Sequence, residues 1–175
     1  YCRTAAEKLL HAERGTVLLT TGFYVAGYAE TDGPLGTVAV AEALNHLGFH
    51  SVVVTDKYCK GFFELKQLDV EYVDIAADEQ VYEDILDKYH PVYMISIERC
   101  GENAEHEYAN MRGVSITSET AAIDHLFELA PEKHIPTIGV GDGGNEIGMG
   151  NMFADYFKQI ARYNSERKGW YVYDG

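Results

Sequence analysis

Thr16-Val-Leu-Leu-Thr-Thr21 is a short, apolar, β-branched run closed at both ends by glycine, Gly15 and Gly22. A run of that length without polar alternation fits a strand buried on both faces. Ser51-Val-Val-Val-Thr55, Val92-Tyr-Met-Ile-Ser-Ile97 and Pro136 to Val140 repeat the pattern, and Val70 to Ile75 gives a shorter strand in which charged and apolar residues alternate. Helical spacing fills the intervals. Residues 1–14 place Ala5, Leu9 and Leu10 on one side before Gly15 stops them. Pro34 fits a first helical position with Asp32 as its cap, and Val38, Ala41 and Leu44 share one face as far as Leu47. Residues 57–68 predict a helix, against which Gly61 and the Phe62-Phe63 pair count. Helices are also predicted over 78–89, with Val81, Ile85 and Leu86 inward, over 118–130 with Ser118 as cap, and over 151–163. Strand and helix alternate throughout. The expected fold is a three-layer, doubly wound α/β domain (Rossmann-like), with a mostly parallel sheet of five or more strands, spanning residues 1–175 as one domain.

Composition bounds the chemistry. The 175 residues hold 28 acids against 14 Lys and Arg, a net charge of −14. That field repels phosphate backbones and anionic membrane surfaces, so neither nucleic acid nor membrane is an expected partner. Cys2, Cys59 and Cys100 are odd in number and lack CxxC spacing. They fit a reducing compartment, not secretion, and neither a disulfide framework nor a zinc site. The chain opens at Tyr1, which fits a piece of a longer protein and leaves room for a targeting segment ahead of it.

In a sheet of this kind, ligands bind outside the carboxyl ends of the strands. The last strand runs there into Gly141-Asp-Gly-Gly-Asn-Glu-Ile-Gly-Met-Gly-Asn151; six glycines lie between Gly139 and Gly150. Such density implies unusual backbone angles or a ligand pressed against main chain, and Ile147 and Met149 set the segment apart from a polar linker. Gly139, Gly141 and Gly144 match GxGxxG, yet the strand and acid that would complete a dinucleotide site do not follow, and the loop's own acids would repel a pyrophosphate. No P-loop and no G-x-S-x-G elbow exists. His11-Ala-Glu13 lacks a partner P-C-x-x-C, and His106, between Glu105 and Glu107, fits an exposed loop histidine better than a metal ligand.

What the loops offer is a constellation. The loop after the first strand carries Glu30, Thr31, Asp32 and Gly33; the one after the fourth carries Glu98, Arg99, Asn103, Asn110 and Arg112; the glycine loop carries Asp142, Gly143, Gly144, Asn145, Glu146 and Asn151. An arginine fork suits a substrate carboxylate and a fixed acid suits an ammonium, so a small zwitterion is the expected ligand. No cofactor is required for that. If a divalent cation binds, Mg²⁺ or Ca²⁺, its oxygen ligands are expected from Asp32, Asp142 and Glu146. The aromatic stretch Phe23-Tyr-Val-Ala-Gly-Tyr28 offers core packing, a lid, or an interface in a homo-oligomer.

Four blocks carry a family likeness: Thr20-Thr-Gly-Phe23, Glu30-Thr-Asp-Gly-Pro34, Asn110-Met-Arg-Gly113 and Gly141-Asp-Gly-Gly-Asn-Glu-Ile-Gly-Met-Gly150. In that order, over residues 16–151, they resemble the D-glutamate cyclase family, in the carboxy-terminal domain of the longer enzyme. The resemblance implies a hydro-lyase that converts D-glutamate to 5-oxo-D-proline and water, in the cytoplasm of a bacterium or the mitochondrial matrix of a eukaryote. The roles inferred for that reaction give Asp142 or Glu146 the proton transfers and Glu30 or Asp32 the amine or a cation. Arg112 takes the α-carboxylate, and the N–H groups of Gly143 to Asn145 face the oxyanion. Arg99, Asn110, Thr31 and Gly33 complete the substrate-binding set. The family domain continues with Thr-Asp-His and Asn-Trp-Gly segments, which this chain's end, Tyr163 to Gly175, lacks, so a truncated or gapped C-terminal end is expected. A non-catalytic binding module for an acidic amino acid, or a metal-assisted lyase or hydrolase, are the other readings of the same residues.

Overall fold

The computed structural model describes residues 2–152. Helix α1 (Cys2–His11) precedes strand β1 (Thr16–Thr21); a two-strand hairpin follows, β2 (Tyr24–Val25) and β3 (Tyr28–Ala29). Then come α2 (Asp32–His46), β4 (His50–Asp56), β5 (Asp69–Val73), α3 (Gln80–Tyr89), β6 (Tyr93–Ile97), α4 (His125–Leu129) and β7 (Thr137–Val140). The main sheet is parallel at every pairing, in the order β5-β4-β1-β6-β7. The chain therefore builds outward from β1 to one edge, returns, and builds to the other. The carboxyl ends of β1 and β6 diverge at that reversal, the place where doubly wound folds bind ligands.

Both faces of the three central strands, β4, β1 and β6, are dry, while the edge strands β5 and β7 are partly open. Val17, Leu19, Val53 and Ile95 join α2 residues Val38, Ala41 and Leu44 in one core, against which Leu9 and Ala12 pack. Leu18, Val52, Val54 and Met94 point the other way, to Tyr82, Ile85 and Leu86 of α3 and Leu126 of α4. Successive strand residues alternate between the two cores, which explains runs without polar interruption. This is the three-layer α/β architecture the strand pattern implies.

Three expected helices differ. Residues 57–68 form two single 3₁₀ turns, Lys57–Cys59 and Glu64–Lys66. The Glu64 carboxylate accepts the N–H groups of Gly61 and Phe63, closing turns that a continuous helix would have to break, while Cys59 and Phe63 are buried. Residues 118–130 give only the five-residue α4, because the segment before it is held elsewhere: the Ala121 carbonyl accepts from Arg99, and the Asp124 side-chain carboxylate accepts from the Tyr108 hydroxyl and the Glu102 N–H. Helix α2 begins at Asp32 with Thr31 at the cap position, so Asp32 lies inside the first turn, where its carboxylate accepts the Gly33 N–H at 2.8 Å. Of the helix expected at 151–163, residues 153–163 lie outside the described residues; Met149–Met152 is a 3₁₀ turn.

One side chain ties the sheet ends together. Arg99, two residues past β6, is wholly buried and pairs with Asp56 at the end of β4 at 2.6 Å. It also donates to the Gly22 carbonyl just past β1 at 2.9 Å and to the Ala121 carbonyl at 2.6 Å. Its own carbonyl accepts the Ile147 N–H of the glycine loop at 2.9 Å. Removing one partner of a buried pair strands the other charge, at a cost of about 3–5 kcal/mol. Arg99→Ala should lose that much in urea unfolding; a loss below about 1 kcal/mol would mean the pair is dispensable.

Candidate active site

A cleft of about 490 Å³ opens at the carboxyl end of the sheet, lined from three loops: the β1–α2 connection, the segment after β6 and the glycine loop after β7. Its acidic lining is Glu30, Asp32, Glu98, Asp142 and Glu146. Its apolar lining comes from the β2–β3 hairpin and residues 111–116, chiefly Phe23, Tyr24, Val25, Met111 and Ile116. Phe23, Tyr24 and Ile116 belong to one apolar cluster with Cys100 and Tyr108, so the hairpin and the long β6 loop are packed as a unit. Arg112 is the one cationic side chain in the lining among the described residues.

The glycine loop is built around its own acid. Glu146 is buried and folds back, so that Oε1 accepts the Gly143 N–H and Oε2 the Gly144 N–H, both at 2.7 Å. A Cβ on Gly141 would come within 2.8 Å of the Glu146 carboxyl carbon, and one on Gly143 within 2.6 Å of Oε1. Gly144 takes φ +94, which a side chain would strain. Thus the glycines crowd around Glu146. Of the N–H groups expected to face an oxyanion, Gly143 to Asn145, those of Gly143 and Gly144 are already donated to this carboxylate.

Glu98 is the residue to which no role was given on sequence. It follows β6 immediately, holds φ +50, and donates its N–H to the Val140 carbonyl at 2.9 Å, so its side chain leaves the strand direction. A non-glycine residue in that backbone region is costly, and such residues cluster at functional sites. Its carboxylate lies with those of Asp142 and Glu146, with one oxygen of each within 4.8 Å of the others. Partial burial first, then the charges of Glu146, Asp142, Asp32 and Glu30, push the Glu98 carboxyl up to about 7. Burial, and then Asp32, raise Glu30 as well. Position was the available signal: Glu98 is the first polar side chain past a buried apolar strand.

The other expected residues divide. Asn110 lines the cleft, and its side-chain oxygen accepts the N–H groups of Arg112 at 2.9 Å and Val114 at 3.1 Å, shaping the turn that carries Arg112. Asn145 lines the cleft too and anchors the glycine loop to the Ala109 carbonyl at 2.7 Å. Thr31 and Gly144 are not among the lining residues. Gly33 lies beneath: a Cβ there would stand 2.7 Å from Thr21 Oγ1 and 2.9 Å from Glu98 Cβ, so its bareness lets α2 approach Glu98. Arg99 cannot meet a substrate, since it is wholly buried and its terminal nitrogens are held by Asp56 and two carbonyls in the interior. The carboxylates that converge are Glu98, Asp142 and Glu146, without Asp32. Such a group suits an ammonium or, by its oxygen ligands, a divalent cation.

The raised Glu98 carboxyl fixes a sign. Its folded value, about 7, lies above the ordinary 4.5, so folding favours the protonated form. Its contribution to stability therefore improves as pH falls from about 7 toward 4.5 and is adverse above that window. Glu98→Gln should be more stable than the parent chain at about pH 8, with the gain fading near pH 5. Urea unfolding at both pH values checks this; an equal difference at both would remove the charge crowding.

The profile of the family described as "D-glutamate cyclase-like, C-terminal" matches residues 1–167. Among curated proteins the chain is 33% identical, over 172 residues, to the mitochondrial D-glutamate cyclase of Homo sapiens. That match covers 85% of this chain and 27% of the human protein, so the chain spans about a quarter of that relative's length. Among solved structures it is similar to UDP-glucose 4-epimerase from Brucella ovis at a TM-score of 0.43 and 14% identity, over 84% of this chain and 49% of that one; so distant a likeness says nothing of function. By the match along nearly its whole length, this chain belongs to the D-glutamate cyclase-like C-terminal family.

Proposed function

We propose that this chain closes D-glutamate into 5-oxo-D-proline with loss of water. The observation that carries the reading is the convergence of Glu98, Asp142 and Glu146 within 4.8 Å, in a cleft whose described lining has one cation, Arg112. Arg112 takes the α-carboxylate and the acidic lining takes the ammonium. Held at both ends, the molecule brings its nitrogen to its own γ-carboxyl carbon, and closure becomes a matter of orientation.

The proton account is simple. The nitrogen must lose two protons and the departing oxygen must gain two, so the net change is zero. A carboxyl that titrates near neutrality can accept from the ammonium and return the proton to the leaving oxygen, and Glu98 is that group. Asp142, exposed beside it, is the second candidate for the transfer. Glu146 is better suited to fixing the loop and the local field, because both its oxygens already accept backbone N–H groups. Two carboxylates in unlike surroundings can thus divide the work. The same three carboxylates also favour a second reading, in which Mg²⁺ or Ca²⁺ assists the reaction. The compartment proposed with this function is the mitochondrial matrix in a eukaryote or the cytoplasm in a bacterium. No helix among the described residues is long and apolar enough to cross a membrane.

Incubation with D-glutamate, followed by chiral chromatography, should reveal 5-oxo-D-proline at a rate that EDTA leaves unchanged; abolition by EDTA would favour the metal reading. Glu98→Gln should lower kcat by about 10²-fold or more, as loss of a proton-transfer group does. Arg112→Ala should raise KM about tenfold, since hydrogen bonds to charged groups contribute roughly 1.5–3 kcal/mol. Near-parental kinetics in both variants would sink the assignment.

A further inference from the structure

Free D-glutamate leaves much of this cleft unused. At about 490 Å³ the cleft falls within the range of about 300–1,000 Å³ that holds drug-sized ligands. Beside the acids it presents Phe23, Tyr24, Val25, Met111 and Ile116, which a molecule made of two carboxylates and an ammonium on a three-carbon chain cannot cover. Val25 and Met111 are 48% and 59% exposed, so apolar surface stands open in the lining. Charge points the same way. D-glutamate brings two carboxylates, whereas the described lining offers Arg112 for one of them; the other must approach five acids. A neutral γ-carbonyl would escape that repulsion, and an apolar group attached to it would find the exposed side chains.

We propose that the cleft also cyclises γ-substituted D-glutamates, amides or esters of an apolar amine or alcohol, and prefers them to the free acid. The inference rests on the lactam-forming reading above and extends its substrate class. The α-nitrogen gives one ammonium proton to solvent and attacks the γ-carbonyl carbon. The C–N bond forms, the bond from that carbon to the substituent breaks, and the amine or alcohol departs with the nitrogen's second proton. Nothing is oxidised or reduced, and no further reactant enters. Arg112 keeps the α-carboxylate in both reactions, and the departing group lies along the hairpin and residues 111–116.

The test uses the 175-residue chain with D-glutamate γ-(4-nitroanilide), corrected for the rate without protein, alongside D-glutamate itself. The expected result is 4-nitroaniline and 5-oxo-D-proline in equal amounts, with kcat/KM above that for D-glutamate by about tenfold or more. Because 4-nitroaniline is also an easier leaving group, Met111→Ser is measured as well. It should lower the ratio of the two kcat/KM values, as Met111 is exposed and its loss removes apolar contact from the substituent. Cyclisation of D-glutamate without turnover of the anilide overturns this inference and leaves the proposed function standing. So does a kcat/KM for the anilide no higher than that for D-glutamate, release of nitroaniline with free D-glutamate, or a ratio indifferent to Met111→Ser. Turnover of neither compound overturns both readings.

Discussion

The cleft depends on a charge that never reaches it. Arg99 lies wholly inside the protein, yet it holds the end of β4 through Asp56, the end of β1 through the Gly22 carbonyl, and the segment before α4 through Ala121. Burying a guanidinium is costly, and a pair of this kind holds only when the remaining donors find acceptors. Here the two terminal nitrogens find main-chain carbonyls of loops that have no regular structure of their own, while Nε is buried without a partner among the described residues. Its main-chain carbonyl takes Ile147, which places the glycine loop beside the β6 loop. Glu98, the preceding residue, is then fixed in a left-handed backbone position with its carboxylate among those of Asp142 and Glu146.

From that arrangement the electrostatics follow. A chain of net charge −14 concentrates five acids around one cleft, a surplus that unfolding would relieve. Glu146 relieves part of it locally by taking two backbone donors. Glu98 relieves part by holding its proton toward neutrality. The two responses to the same crowding are different: one acid anchors the loop, and the other is the proton carrier of the proposed reaction.

Much of this was legible in the chain. The β1 boundaries, Thr16 and Thr21, follow from residue type and flanking glycines alone, because a strand buried on both faces leaves no polar alternation. The loops that meet at the cleft were also readable, since parallel strands put all their carboxyl ends on one edge. Where the reading of 118–130 and of Arg99 failed, the cause is a contact distant in sequence. Residues 118–124 have helical periodicity, but nothing local reveals that Arg99, over twenty positions earlier, takes the Ala121 carbonyl. Arg99 itself has the look of a loop arginine available to substrate, because the Asp56 carboxylate and the two carbonyls that hold it inside the protein are all distant in sequence. The Tyr24–Ala29 hairpin was hidden by its shortness, two residues a strand turning at Ala26 and Gly27, both with positive φ. The density of glycine is plain in the chain, but its cause, the Glu146 side chain folded back against it, exists only in the folded loop.

The central claim is that the cleft binds an acidic amino acid by its two charged ends, with Arg112 at one and the Glu98 group at the other. A crystal structure with 5-oxo-D-proline bound tests it most directly. The account predicts the ring in this cleft, its carboxylate on Arg112 and its lactam edge toward Glu98 and Asp142. A carboxylate seated instead on the N–H groups of Gly143 and Gly144, with Glu146 displaced, would contradict it, as would a ligand bound elsewhere on the protein.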